Sequence, residues 1–453
     1  MATDDATETA DAACLRLRRR QWLTVGLMVT GYAGFYLCRS NLSATMTMIV
    51  DDLAGSGGDR AAIKVRLSLW LVTLGSVAYA LGKFAAGSLT DLLGGRRNYL
   101  IGMAGAVVFT GLFALGGSLP VFTLAWFGNR LIQSLGWPGM IKITSRWFAH
   151  SSYNTAMGII SLSFLFGDAA ARALIGSLIE AGLGWRTIFA IAAGVLAMLW
   201  IVNAALIRES PGDLELPEPH TNPDNLFGKL GEDPNPESAG PLWATLARSP
   251  AFWAVCLLSL GLTTLREAFS NWTPTYLVED IGLTTGDASR TSALFPLLGG
   301  VSVILAGFLG DRLGRLGRAT IILVGIALAT LVLWRLGSGR FTGRPAEARL
   351  LVAATAFLLI GPYSYLAGAI SLDIGGKRGG ATACGIIDGF GYLFGSVIAG
   401  YAVARMSVAL GWRGAFLALA GIAAATTIVA AWFLVDQMRS PQTPATADEK
   451  ETS

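Results

Sequence analysis

The chain has 453 residues, of which 53% are hydrophobic and only 14% charged. Soluble chains carry about 25% charged residues, so this one lacks the charge to cover a water-facing surface of its size. A soluble enzyme, a disordered protein and, with a net charge of only +4, a nucleic-acid binder are excluded as first readings.

Residues 1–20 read acidic and then basic (MATDDATETADAACLRLRRR). With no apolar core near residue 1 they read as a polar tail, not a signal peptide. Apolar stretches long enough to cross a bilayer, about 20 residues each, follow at 21–48, 67–90, 98–117, 121–146, 154–181, 186–207, 250–278, 289–310, 319–336, 348–372, 381–405 and 412–437. These twelve predict an all-α integral membrane protein. Most links are short. The exception is 208–249, rich in Pro, Asp, Glu and Asn, whose composition cannot bury a core of its own. It reads as a linker between an N-terminal bundle, 21–207, and a C-terminal bundle, 250–437, followed by a polar tail at 438–453.

Lys and Arg are biased toward the loops on the side of both termini, among them Arg16, Arg18, Arg19, Arg20, Arg96, Arg97, Arg312, Arg315 and Arg318. By the positive-inside rule both termini are expected in the cytoplasm, with the chain in the cell membrane (inner or plasma). Cys14, Cys38, Cys256 and Cys384 are isolated. They read as small hydrophobes, and no metal or cofactor is expected. No GxxxxGK[ST] loop occurs, so any work done by this chain must draw on a gradient.

The halves echo each other. GLGWRTIF recurs as ALGWRGAF at an offset of 227 residues (Arg186 to Arg413). RSNLSATMTMIVDDL and REAFSNWTPTYLVEDI open on Arg39 and Arg266, again 227 apart, and GSLTDLLGGRR answers GFLGDRLGRLGR at 220 (Asp91 to Asp311). Two six-helix repeats about an axis along the membrane normal place a polar site at their interface near the midplane.

At these residues the chain resembles the major facilitator superfamily. The loops GSLTDLLGGRR and GFLGDRLGRLGR are its hallmark, the first departing from the pattern at Leu92, and NRLIQSLGWP matches its fourth-helix signature except at Ser134. GYAGFYLCRSNLS, LGKFAAGSLTD, GWPGMIK, REAFSNWTPTYLVE and GIIDGFGYLFG are similar to the organophosphate:phosphate antiporters, which carry glycerol-3-phosphate, hexose phosphates or glucose-6-phosphate. The resemblance implies the major facilitator fold, two pseudo-symmetric six-helix bundles, and exchange of a small phosphorylated metabolite for inorganic phosphate by a non-enzymatic, alternating-access transporter. A monomer is expected, with a small anionic substrate and membrane lipid as its partners and no nucleic acid.

Charges at membrane depth are functional candidates because each costs about 2.5–3.5 kcal/mol at the bilayer centre. Here they are Arg39, Lys83, Arg130, Lys142, Asp168, Arg172, Arg266, Glu267 and Asp388, more basic than acidic, which selects an anion. Arg39 and Arg266 are repeat-equivalent and would face each other, each able to grip a phosphate bidentately. The resemblance assigns this pair to phosphate and Lys83 to a third positive group near it. Glu267 is not expected to meet Arg266, because adjacent side chains on a helix diverge. Asp168 and Arg172 at i, i+4 are expected to pair with each other. The run SLSFLFGD lacks the histidine that bacterial glycerol-3-phosphate carriers place in this region, which leaves recognition of the organic part open. For Asp388 three roles stand: partner of Lys83 or Arg266, contact to substrate hydroxyls, or proton carrier. Arg130 is either structural or, with Asp168, part of a coupling device.

Tyr36, Tyr79, Trp137 and Tyr392 lie on helices that line such cavities and suit a sugar or glycerol moiety. Tyr36 and Tyr79 share a helix face with Arg39 and Lys83. Asp91 and Arg96 in the first loop, and Asp311, Arg312 and Arg315 in the second, are expected to form inter-helix ion pairs that latch one state. Two other functions stand beside phosphate exchange: proton-coupled symport of an organic anion such as a carboxylate or sugar acid, and a membrane sensor of sugar phosphate.

Overall fold

The computed structural model describes residues 2–439 apart from 56–57, 60–62, 64–65, 68–69, 72–73, 220–224, 228–235, 237, 284–287, 289–290 and 293. The tail expected at 438–453 and part of the linker therefore lie largely outside the described residues. Every element among the described residues is helical, as expected where no water is available to satisfy an open sheet edge. Among the described residues, seven helices are long and apolar enough to cross a membrane.

The chain divides into two compact units. The first holds α1 (Ala2–Ala54), α2 (Leu74–Leu93), α3 (Gly95–Leu115), α4 (Leu119–Gln133), α5 (Gly136–Trp147), most of α6 (Tyr153–Glu180) and α7 (Trp185–Leu206). The second holds nearly all of α8 (Ala239–Ala247), then α9 (Pro250–Glu279), α10 (Leu294–Ser338), α11 (Pro345–Tyr365), α12 (Ser371–Phe390) and α13 (Val403–Arg439), together with residues 150–159. Large apolar side chains such as Leu124, Leu331 and Ile428 point outward, while Asn98, Asn129 and Gln133 are buried. That inversion of the soluble pattern suits a lipid surround.

Sequence signals explain the breaks. α10 and α13 are each interrupted by a glycine in the left-handed region, Gly314 (φ 63°) and Gly411 (φ 70°). Any other residue would strain there. Both positions fall in loops predicted between apolar spans. The span expected at 121–146 is not one helix: it breaks at Ser134 and Leu135 into α4 and α5. Pro138, in the first turn of α5, has no N–H to carry the ladder back across the break, and Ser134 Oγ donates to the Leu131 carbonyl (2.6 Å). At the other end, α1 runs unbroken through the stretch read as a polar tail.

The internal repeat is visible in contacts. Trp185 Nε1 donates to Asp52 Oδ2 (3.1 Å) and, in the other unit, Trp412 Nε1 donates to Glu279 Oε2 (2.8 Å). Donor and acceptor are each displaced by 227 residues (Trp185 to Trp412, Asp52 to Glu279), the offset that separates Arg39 from Arg266. The adjacent arginines repeat too: Arg186 reaches the Gly116 carbonyl and Arg413 the Gly337 carbonyl. Each tryptophan sits in an aromatic cluster, Phe113, Phe122 and Phe189 around Trp185, and Tyr276 and Phe416 around Trp412. The Arg186 guanidinium, 2.5 Å away, holds the Asp52 carboxyl below the usual carboxylate range.

The start of the linker is ordered by docking. Glu209 accepts from the backbone N–H groups of Gly95 (2.8 Å) and Arg96 (2.7 Å), placing an anion on donors that α3 leaves without helical partners. Arg146 pairs with Glu218 (3.0 Å). Glu209→Gln is expected to lower stability by about 1 kcal/mol, read as a small drop in melting temperature. An unchanged melting temperature would remove Glu209 from this role.

Candidate functional site

In the first unit, α1 carries Arg39 half-buried, its guanidinium 4.7 Å from the ring centroids of both Tyr36 and Tyr79. Lys83, one turn beyond Tyr79 on α2, lies 5.1 Å from the Tyr79 ring, and Arg130 on α4 lies 4.5 Å from it. One phenol ring thus gathers three cations. Its quadrupole attracts each of them by about 0.5–2 kcal/mol.

A chain of buried amides aims Arg39. Its Nε donates to Gln133 Oε1 (3.1 Å), Gln133 Nε2 donates to Asn129 Oδ1 (2.6 Å), and Asn129 Nδ2 donates to Thr110 Oγ1 (2.8 Å). Gln133 and Asn129 stand at i, i+4 on α4, so they share a face. The next residue on α1, Ser40, donates to Asp168 Oδ1 (2.5 Å). The partner expected for Asp168, Arg172, has its side chain outside the described residues. Trp137 is nearly buried, tilted against Tyr32 at 5.6 Å.

In the second unit, Arg266 on α9 lies 4.7 Å from the Tyr363 ring and 5.5 Å from the Tyr392 ring, and its Nη2 donates to the Tyr392 hydroxyl (2.9 Å). Tyr392 sits in a π-helical segment, Gly391–Gly395, that continues α12, a local widening often met at functional sites. Asp388, almost fully buried one turn earlier, and Glu267 act electrostatically on Tyr363 together with Arg266 and Tyr392. Arg266 Nη2 also contacts Glu267 Oε1 at 2.5 Å. This corrects the expectation that the neighbours diverge. Adjacent Cβ bonds on a helix diverge, but the long arms of both side chains let the charged ends curl back to each other.

The loop residues also find partners that spacing did not indicate. Asp91 pairs with Lys142 on α5 at 2.9 Å, both side chains fully buried. Arg96 turns instead to the end of α7, donating to the carbonyls of Ile207 and Ala204 (both 2.8 Å). It starts α3, beside those open carbonyls, while Asp91 lies in the interior. In the second unit Asp311 accepts from the backbone N–H of Asn154 (3.0 Å) and Thr155 (2.8 Å) and from Asn154 Nδ2 (2.7 Å), at the N-terminal turn of α6. Arg312 stacks on Phe308, Arg315 bonds Gln437, and it is Arg318 that pairs with a carboxylate, Asp373.

Sequence reasoning misses Tyr363, Gln133 and Asn129. Gln133 lies within the fourth-helix signature itself. Tyr363 carries no signal beyond its place after Pro362.

The sequence pattern of the Major Facilitator Superfamily matches residues 28–387. Among curated proteins the chain is similar to the glycerol-3-phosphate transporter of Bacillus subtilis, 25% identical over 418 residues and 90% of each chain. It is also similar to a probable hexose phosphate transport protein of Chlamydia muridarum, 26% identical over 410 residues and 86% of each. Among solved structures, the human organic anion transporter MFSD10 superposes with a TM-score of 0.69 over 90% of this chain and 99% of that one, at 14% identity. That likeness speaks to the fold.

Proposed function

The chain belongs to the Major Facilitator Superfamily, and on that premise we propose that it is a secondary transporter of a small phosphorylated metabolite, exchanged for inorganic phosphate. The observation that carries this reading is the convergence of Arg39, Lys83 and Arg130 on the Tyr79 ring. The curated relatives named for glycerol-3-phosphate and hexose phosphate support the choice of a phosphate ester as the anion.

In the proposed mechanism phosphate is gripped by Arg39 and Arg266, with Lys83 adding charge, while the protein alternates between two open states. Arg266 arrives with Glu267 as an internal counter-ion. Phosphate must exchange for that carboxylate, and the Tyr392 hydroxyl stays on the guanidinium to keep it in place. Only substrate that binds the intermediate state better than the open ones lowers the barrier between them. The remaining parts of the reading are twelve spans in two six-helix bundles, cytoplasmic termini, action as a monomer, and Asp91, Asp311 and their partners as latches.

A panel test follows. Proteoliposomes loaded with phosphate should take up labelled phosphate, and glycerol or hexose phosphates should inhibit uptake at far lower concentration than the unphosphorylated alcohols. Equal inhibition by simple carboxylates would contradict the phosphate assignment.

Asp388 supports a second reading, proton-coupled symport of an organic anion, because it is a buried carboxylate beside the Arg266 cluster. On the exchange reading Asp388→Asn removes negative charge near Arg266, so anion affinity should hold or rise while release slows. Loss of pH-driven accumulation with intact counterflow in this variant would decide for symport.

A further inference from the structure

Arg16, Arg19, Arg20 and Leu23 recur at i, i+3, i+4 and i+7 of α1, so they share one helix face. Against that face lie Leu214 and Leu216, at and just beyond the short turn Pro211–Leu214 that follows α7. Together these residues line an open cleft of about 690 Å³, far more than a single inorganic anion fills. The Leu214 side of the cleft is anchored within the same unit. Glu209 caps α3, Trp147 Nε1 donates to the Arg208 carbonyl (3.1 Å), and Arg146 holds Glu218. On the adjoining flank of α1, Leu15 is 69% exposed and Trp22 55% exposed, beside the exposed Arg18.

The cleft combines two chemistries. Three guanidiniums attract an anion, and three leucines offer an apolar wall that a free anion in water would leave unused. Trp22 is the residue type that settles at a membrane–water boundary, and the cleft sits where the expected first span begins. A ligand that brings a phosphate and hydrocarbon to that depth at once is a phospholipid.

We propose that this cleft binds the headgroup of an anionic phospholipid, its phosphate against Arg16, Arg19 and Arg20 and its glycerol-ester region over Leu23, Leu214 and Leu216. The site is separate from the transport residues and does not depend on the identity of the substrate. It would tie α1 and the start of the linker to the charge of the surrounding leaflet. Each basic residue near an anionic leaflet strengthens binding about fivefold, so three arginines account for roughly a hundredfold preference over a zwitterionic lipid.

The test uses the purified full chain in detergent, with bound lipid read by native mass spectrometry during titration with phosphatidylglycerol or phosphatidylcholine. The native chain should retain phosphatidylglycerol preferentially, R16K/R19K/R20K should keep most of that preference, and R16Q/R19Q/R20Q should lose roughly a hundredfold of it with an unchanged melting temperature. Undiminished retention by the glutamine variant overturns the proposal. So does displacement of the lipid by millimolar inorganic phosphate, which would mark a site for a free anion. Should the glutamine variant fail to fold, Leu214→Ser/Leu216→Ser decides instead: retention should weaken several-fold, and unchanged retention overturns the lipid assignment.

Discussion

Arg39→Lys and Arg266→Lys are each expected to reduce phosphate exchange by roughly a hundredfold or more while the protein remains folded. Lysine keeps the positive charge but replaces the planar fork with a point charge, so the two parallel N–H···O bonds that a guanidinium gives to phosphate can no longer form. At position 39 the change also removes the Nε–H that Gln133 accepts, so the new ammonium is no longer aimed by the Gln133–Asn129–Thr110 chain. At position 266 it removes the guanidinium that bonds Tyr392 and Glu267 together. Counterflow of labelled phosphate, normalised to reconstituted protein, reads the effect. Near-normal exchange by both variants would sink the arginine grip, and a drop in melting temperature matching the drop in rate would assign the loss to folding.

The second large effect is on stability. Lys142 and Asp91 form an ion pair at 2.9 Å with both side chains fully buried. Removing one partner of such a pair leaves the other charge in a low-dielectric interior and destabilises by about 3–5 kcal/mol, whereas replacing both with apolar groups is often neutral. Asp91→Leu is therefore expected to lower the melting temperature sharply, Lys142→Met to do likewise, and the double variant to recover most of the loss. Thermal unfolding in detergent measures all three. Additive losses in the double variant would show that the two residues do not act as a pair. If the pair also latches one conformation, the double variant should fold and yet exchange substrate at an altered rate.

How far the sequence leads depends on which physical signal each residue carries. A charge in an apolar stretch stands out, so Arg39, Lys83, Arg266 and Asp388 are legible. The repeat offset is legible because GWR and its neighbours recur, and the Trp185–Asp52 and Trp412–Glu279 bonds give that repetition a structural reason. What spacing along one helix cannot show is which side chains meet across helices. The gathering of Arg39, Lys83 and Arg130 on Tyr79 depends on how α1, α2 and α4 pack. The pairing of Asp91 with Lys142 rather than with its motif neighbours depends on burial, not on distance in sequence. The break between α4 and α5 escapes hydropathy because both flanks stay apolar. The Arg266–Glu267 contact escapes because Cβ directions do not measure the reach of two long side chains.

The central claim, that the cations around Tyr79 and at Arg266 serve anion exchange, is tested most directly in proteoliposomes containing the full chain. Labelled phosphate uptake is measured with and without phosphate or an organophosphate trapped inside, in the presence of a protonophore. Exchange predicts fast uptake whenever a trapped anion is present, undiminished by the protonophore, and almost none from empty vesicles. Uptake that ignores the trapped anion and collapses with the proton gradient would contradict the account and decide for symport.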